Sequence, residues 1–402
     1  MTRTVDFSPK PIFSLEDTGR QMPPVGLISP ARYVQGPDLL DHLGRFLSIV
    51  PSTRPAVYIS PGGLRRHGDQ LLDGLRAMQI EAVVEIFEGE CSFSEIERAT
   101  ASLQAQNIPF DSLIAVGGGK CLDAGKCVAD RLEIPVVICP TIASTDAPCS
   151  ALSVVYSDEG IVQGGESFPD SPALVLVDSQ LIAAAPVRYL VAGMGDALAT
   201  RYEARTCYRT PAGRAVIGSR PTIAAQAIAK LCAQTVFDDG IAAAEANYRG
   251  EVDPALERVI EANTLLSGIG FESGGVTAAH AVAMGFTRLP VARENYLHGE
   301  MVALGLLTQL ALEQSTDECV QVARFCAEIG LPTHLAQLSL DTAADGPALK
   351  AAMAASAETP LMDNVPFDVT PENTWAALLQ ADEIGRAATA AVGDQAYRRM
   401  RA

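Results

Sequence analysis

Three residues in the helix-rich part of the chain after Pro186 have the types to hold a metal ion. They are Asp196 in Gly193-Met194-Gly195-Asp196-Ala197-Leu198, His280 in Thr277-Ala278-Ala279-His280-Ala281-Val282, and His298 in Leu297-His298-Gly299-Glu300. One carboxylate oxygen and two imidazole nitrogens leave a tetrahedral divalent cation one open position, as a catalytic site requires. The other three of the five histidines, His42, His67 and His334, lie in polar, surface-like stretches. Each candidate also has a plain structural reading. Asp196 suits the cap of a helix beginning there, His280 a hydrogen-bonded core histidine, and His298 a first-turn residue. Ligands so far apart in sequence leave both readings open.

A second group of residues points to an anion. Leu113 to Val116 has strand character, Gly117-Gly118-Gly119 follows, and Lys120-Cys121-Leu122-Asp123 opens a helical pattern with an early carboxylate. Three adjacent glycines let backbone N–H groups close around a phosphate, and the helix aims the positive end of its dipole at the same point. A diphosphate is the natural guest. The dinucleotide fingerprint G-x-G-x-x-G needs glycine at Leu122, and a Walker loop needs glycine at Ile114 with Ser or Thr at Cys121, so neither fits. Pro140-Thr141-Ile142-Ala143-Ser144-Thr145-Asp146 follows the next strand pattern. Ligands of open α/β sheets bind beyond the carboxyl ends of strands, which turns Thr141, Ser144, Thr145 and Asp146 toward a cleft. The alternative is a Ser/Thr turn that caps the strand.

The elements that must position these residues change character along the chain. Pro55 to Ser60, Ala82 to Phe87, Ser112 to Val116, Pro135 to Cys139 and Ala173 to Val177 read as strands. Helical patterns at Gln70 to Met78, Phe93 to Gln104 and Lys120 to Asp130 alternate with them. Continuous apolar strands between helices mean a parallel, doubly wound sheet. Ala151 to Gly165, turning at Asp158-Glu159-Gly160, reads as an inserted hairpin. After Pro186 only alanine- and leucine-rich helical stretches follow, from Arg201 to Cys207 through to Trp375 to Ile384. The expected organisation is a poorly ordered lead-in (1–24), an α/β domain (25–185) and an all-helical domain (186–402), with the site in the cleft between the last two.

Composition narrows the partners. A net charge of −18 sets the chain against nucleic acid and anionic membrane surfaces. No apolar stretch is long enough for a membrane span. Nine scattered cysteines, without a C-x-x-C pair, fit small buried hydrophobes in a reducing cytoplasm.

Gly117 to Asp123, Pro140 to Tyr156, Gly193 to Arg205, Pro254 to Gly275 and Tyr296 to Gly305 together resemble the metal-dependent, iron-type alcohol dehydrogenase family, in its polyol-oxidising branch. The resemblance runs from about Ile28 to about Ile384. It implies the architecture shared with dehydroquinate synthase: an α/β N-terminal dinucleotide-binding domain plus an all-α C-terminal domain. It also implies Asp196, His280 and His298 as ligands of zinc, with iron as the alternative. Gly117, Gly118, Gly119 and Lys120 would hold the pyrophosphate of NAD or NADP, Asp123, Thr141, Ser144 and Thr145 would line the cofactor side, and Asp146 and Phe271 would contact the polyol. The implied reaction takes hydride from glycerol or a related polyol to the nicotinamide, giving dihydroxyacetone from glycerol. Homo-oligomers, commonly octamers, are implied as well. Alternatives are a dehydrogenase of a 2-hydroxy acid or 1,2-diol, and a lyase resembling dehydroquinate synthase, with Arg201, Arg205 and Arg288 as its main basic candidates.

The chain departs from the family pattern twice. The turn after the first expected strand, Ser60-Pro61-Gly62-Gly63-Leu64-Arg65-Arg66, lacks the acid that usually binds the adenosine ribose. Ser60 and the two arginines resemble NADP-preferring relatives, so both dinucleotides are expected, NAD first. Ala283 and Met284 stand where some relatives carry a proton-relaying histidine. Proton release is expected through water or Asp146.

Overall fold

The computed structural model describes residues 22–402; residues 1–21, most of the expected lead-in, lie outside the described residues. The first half forms a six-stranded parallel sheet in the order β1-β8-β5-β4-β2-β3. Its strands are β1 (Tyr33–Gly36), β2 (Pro55–Ile59), β3 (Val83–Ile86), β4 (Ser112–Gly117), β5 (Val136–Pro140) and β8 (Leu174–Asp178). All five expected strands are present. β1 was not foreseen, because a four-residue edge strand with a central glutamine has no apolar run to betray it. β6 (Leu152–Tyr156) and β7 (Val162–Ser167) form the expected antiparallel hairpin.

Helices α1 (Leu43–Leu47), α2 (Pro61–Arg76), α3 (Phe93–Ala105), α4 (Gly119–Leu132) and α5 (Ser179–Ala183) accompany the sheet. Strand side chains alternate between its faces. Val57, Ile59, Ile114, Val116 and Val137 share one core with Leu71 and Leu75 of α2. Ala56, Tyr58, Leu113, Ala115 and Ile138 belong to the other, which continues into the helical half without a break.

That half comprises α6 (Val187–Arg209), α7 (Ile223–Arg249), α8 (Pro254–Glu261), α9 (Ser267–Gly274), α10 (Ala278–Thr287), α11 (Pro290–Asn295), α12 (His298–Leu312), α13 (Thr316–Ile329), α14 (Gly346–Ala357), α15 (Pro371–Val392) and α16 (Gln395–Arg401). A π-turn at Ala262–Leu266 joins α8 to α9. Two helices begin earlier than the sequence pattern indicated. α2 starts at Pro61, where the Ser60 hydroxyl accepts the Gly63 N–H at 3.1 Å. Proline at a first helical position gives up only an N–H that has no helical partner anyway. α6 starts at Val187 and runs through the glycines that had read as a loop.

Candidate metal and dinucleotide site

Asp196 is the tenth residue of α6 and not a helix start, which corrects its expected setting. The cause lies in the neighbouring glycines. A Cβ on Gly195 would lie 2.4 Å from the Gly299 carbonyl oxygen, and one on Gly299 would lie 1.8 Å from that of Ala192. Backbone therefore meets backbone where α6 crosses α12. The residues beside those contacts, Asp196 and His298, are brought together by it. Glu300 fixes the same end of α12 by accepting the Leu297 N–H at 2.8 Å and the Arg188 guanidinium at 2.8 Å. His280 arrives from a third direction, as the third residue of α10.

The Asp196 carboxylate oxygen Oδ1 lies 3.3 Å from His280 Nε2 and 3.5 Å from His298 Nε2. A tetrahedral ion with ligands at about 2.0–2.1 Å separates them by about 3.3–3.4 Å, so the spacing suits zinc or a similar cation. Asp196 Oδ1 is also buried without a hydrogen-bond partner, an exception among buried polar atoms that a cation would relieve. The donor set fits the metal that the resemblance implies.

Electrostatics agree with the geometry. Burial works against charge on Asp196, yet facing His298 and His280 hold its carboxyl well below the usual range. Burial likewise disfavours the His280 cation, but Glu203 and Asp196 outweigh it and raise the imidazole pKa well above the ordinary value. Asp146 is pushed far up by burial and by the neighbouring Asp196 charge. Its backbone N–H donates to Asp196 Oδ2 at 3.3 Å, and its own Oδ2 accepts the Ser267 hydroxyl at 2.9 Å.

A cleft of about 1820 Å³ opens over these groups, lined among others by Lys120, Asp123, Asp146, Phe271, His280 and His298. Two of the predicted metal residues, both predicted substrate residues and two of the predicted cofactor residues thus line one cleft, whereas Asp196, Ser60, Gly117 to Gly119, Thr141, Ser144 and Thr145 are not among its lining. Gly117 ends β4, Gly118 caps α4 and Gly119 is its first residue. Thr141 donates its N–H to the Gly117 carbonyl at 2.9 Å. A Cβ on Gly119 would lie 3.3 Å from Thr145 Oγ1, so the loops after β4 and β5 touch. Ser144 is buried in the second loop. Ser60 stands one strand away, at the β2–α2 junction.

Asp123 is the fifth residue of α4, past the first turn in which the sequence had placed its carboxylate. It is buried and binds Lys126 Nζ at 3.1 Å and the Val154 N–H at 3.1 Å. Lys126 also donates to the carbonyls of Ala147 at 2.6 Å and Leu152 at 2.8 Å, tying α4 to the hairpin. Lys120, expected at the pyrophosphate, pairs with Glu90 at 2.7 Å and lies over the Tyr156 ring. Sequence reasoning missed Lys126, Glu90, Ser267 and Glu203. For Glu203 a signal existed: it follows Asp196 by seven residues, two turns of one helix.

Residues 30–179 match the family described as iron-containing alcohol dehydrogenase. A glycerol dehydrogenase of Citrobacter freundii is 43% identical over 359 residues, covering 89% of this chain and 97% of that protein. The crystal structure of glycerol dehydrogenase from Schizosaccharomyces pombe superposes with a TM-score of 0.85 at 32% identity, over 92% of this chain and 93% of the other. That of a probable glycerol dehydrogenase from Sinorhizobium meliloti 1021 gives a TM-score of 0.82 at 38% identity, over 90% and 99%. By sequence along nearly its whole length, and by its fold, the chain belongs to the iron-containing alcohol dehydrogenase family.

Proposed function

We infer that this protein is a metal-dependent alcohol dehydrogenase that oxidises glycerol, or a closely related polyol, with NAD(P), yielding dihydroxyacetone from glycerol. The observation that carries the reading is the convergence of Asp196, His280 and His298 beside a cleft that is also lined by Lys120 and Asp123, from the helix that the β4 glycine turn opens. The relatives' names supply the polyol.

Asp196, His280 and His298 would hold the divalent ion, and the glycine turn with Lys120 the dinucleotide. When bound at these residues, the ion would supply Lewis acidity at the substrate hydroxyl and the nicotinamide would supply the hydride acceptor. The chain's own residues do the rest. Asp146, with Oδ2 occupied by Ser267, offers its remaining oxygen to a second hydroxyl of the polyol, which favours diols over simple alcohols. Phe271 supplies an apolar wall that limits water at the reacting carbon. Ala283 is buried and Met284 lines the cleft, so no side chain at those positions relays a proton. Asp146 and solvent are the route left to it.

The arginines of the cleft favour a neutral substrate. Arg131 is held by both oxygens of Glu166 at 2.6 and 2.7 Å. Arg214 donates to the Ala212 and Gly213 carbonyls, and Arg293 to that of Thr287. Arg205, a basic candidate for a lyase, is bound by Glu318 and Glu313. A phosphorylated or carboxylated substrate would have to break such pairs. No helix among the described residues is long and apolar enough to cross a membrane, and all nine cysteines are free and buried, which supports a cytoplasmic setting.

The test is initial rates of NADH formation with glycerol, a 1,2-diol and a 2-hydroxy acid in parallel. Glycerol or the diol should be turned over fastest. Turnover of the hydroxy acid with none of glycerol would overturn the substrate assignment.

A further inference from the structure

Glu203 is completely buried, and among the described residues no lysine or arginine pairs with it. Its two oxygens meet three donors. Oε1 accepts the backbone N–H groups of Thr277 at 2.9 Å and His280 at 3.0 Å, and Oε2 lies 2.6 Å from His280 Nδ1. An ionised carboxylate has only acceptors, so the hydrogen between Oε2 and Nδ1 belongs to the ring. When a cation takes the place of any proton on Nε2, a ring whose hydrogen stays on Nδ1 turns the Nε2 lone pair toward it, from the atom 3.3 Å from Asp196 Oδ1. His298 has no comparable partner among the described residues, and its side chain is 41% exposed.

We propose that Glu203 is a positioning residue that holds His280 in the Nδ1–H tautomer, and so presents Nε2 as a ligand to the divalent cation. The proposal rests on the metal reading above. Carboxylates behind ligating histidines fix ring orientation and raise ligand basicity. Here the carboxylate also takes two N–H groups at the start of α10, so the helix that carries the ligand and the ring itself are set by one group.

Glutamine at this position matches the volume but not the chemistry. If its oxygen keeps the two backbone N–H groups, its NH₂ faces Nδ1, which must then accept. The ring proton moves to Nε2, and the ligand lone pair is lost. Turned round, the NH₂ confronts two N–H donors. Aspartate is shorter by one methylene but remains an acceptor only.

The test compares the wild type, Glu203→Gln and Glu203→Asp as full-length proteins stripped of metal. Zinc affinity is read by competition with a chromophoric chelator, and ligand geometry by the visible bands of the cobalt-loaded enzyme. Glu203→Gln should bind zinc about 10–100-fold more weakly than the wild type, with altered cobalt bands, and Glu203→Asp should fall between them. A mere packing role reverses that order, because glutamine fills the site and aspartate leaves a void. Wild-type zinc affinity in Glu203→Gln, or the reversed order, overturns the proposal. A wild type that binds no zinc overturns the metal reading itself. Should Glu203→Gln not fold, ¹⁵N spectra of histidine-labelled zinc enzyme decide: His280 protonated on Nδ1 and ligated through Nε2 is expected, and the opposite assignment refutes it.

Discussion

His298 is the most accessible member of the triad, and its replacement therefore separates chemistry from folding. Its side chain is 41% exposed, so between the metal-free proteins His298→Ala should change stability by no more than about 0.5 kcal/mol. Turnover should nevertheless vanish and bound zinc should fall, as read by rate assay and metal analysis on the same sample. Retained activity would remove His298 from the ligand set. Glu272 gives a second test, of pH dependence. One oxygen accepts the Ala151 N–H at 2.7 Å, the other is buried without a partner, and burial lifts its pKa from 4.5 to about 8. Between those values the folded chain keeps a proton that the unfolded chain releases, so stability falls as pH rises, by up to about 1.4 kcal/mol per unit. Glu272→Gln should thus melt above the wild type at about pH 9 and converge with it near about pH 5, measured by thermal unfolding. A constant difference across that range would show that Glu272 is ionised throughout.

The crossing of α6 and α12 is the element on which the metal site depends. Gly299→Ala would drive a methyl into the Ala192 carbonyl and push the helices apart. Overpacking of this kind costs about 1–3 kcal/mol or more, and zinc affinity should fall with it although no ligand is touched. A melting curve and a zinc titration check both. The same crossing explains what sequence could not show. Gly193 and Gly195 carry the local signature of a loop, and only contact with a second helix reveals them as a place where two backbones meet. The metal-ligating residue types, every strand of the sheet but β1, and the glycine turn were legible because their signals are local. Glu90 and the carbonyl partners of Lys126 were not, because those contacts join different elements, and Glu203 showed only its spacing from Asp196. At the β2–α2 junction, Arg65 and Arg66 fold back over Gly62, within 3.4–3.8 Å of where a Cβ would sit, and α2 has no acid in its first turn. Such a turn welcomes a 2′-phosphate. Replacing both arginines by alanine should lower kcat/KM for NADP⁺ about tenfold while sparing NAD⁺. An equal loss with both dinucleotides would place the arginines elsewhere in function.

At the scale of the whole molecule, the site exists only where the two halves are joined. Asn263 Nδ2 donates at 3.0 Å both to the Ala143 carbonyl in the loop after β5 and to the Leu190 carbonyl in α6. Gly193 packs against the same Ala143 carbonyl, where a Cβ would come within 2.0 Å. The loop that ends at Asp146 is thereby locked to the helix that carries Asp196. One continuous core runs from the sheet into the helices, which explains how Asp146 and Asp196, from separate halves, keep a fixed distance. A bound ion should stabilise the entire chain, because it binds the folded form and bridges three helices. The most direct test of metal-dependent polyol oxidation is the rate of NAD⁺ reduction by glycerol before chelation, after it, and after adding back zinc or ferrous ion. Activity should disappear on chelation and return with the metal. Undiminished glycerol oxidation by metal-free enzyme would contradict the assignment of Asp196, His280 and His298.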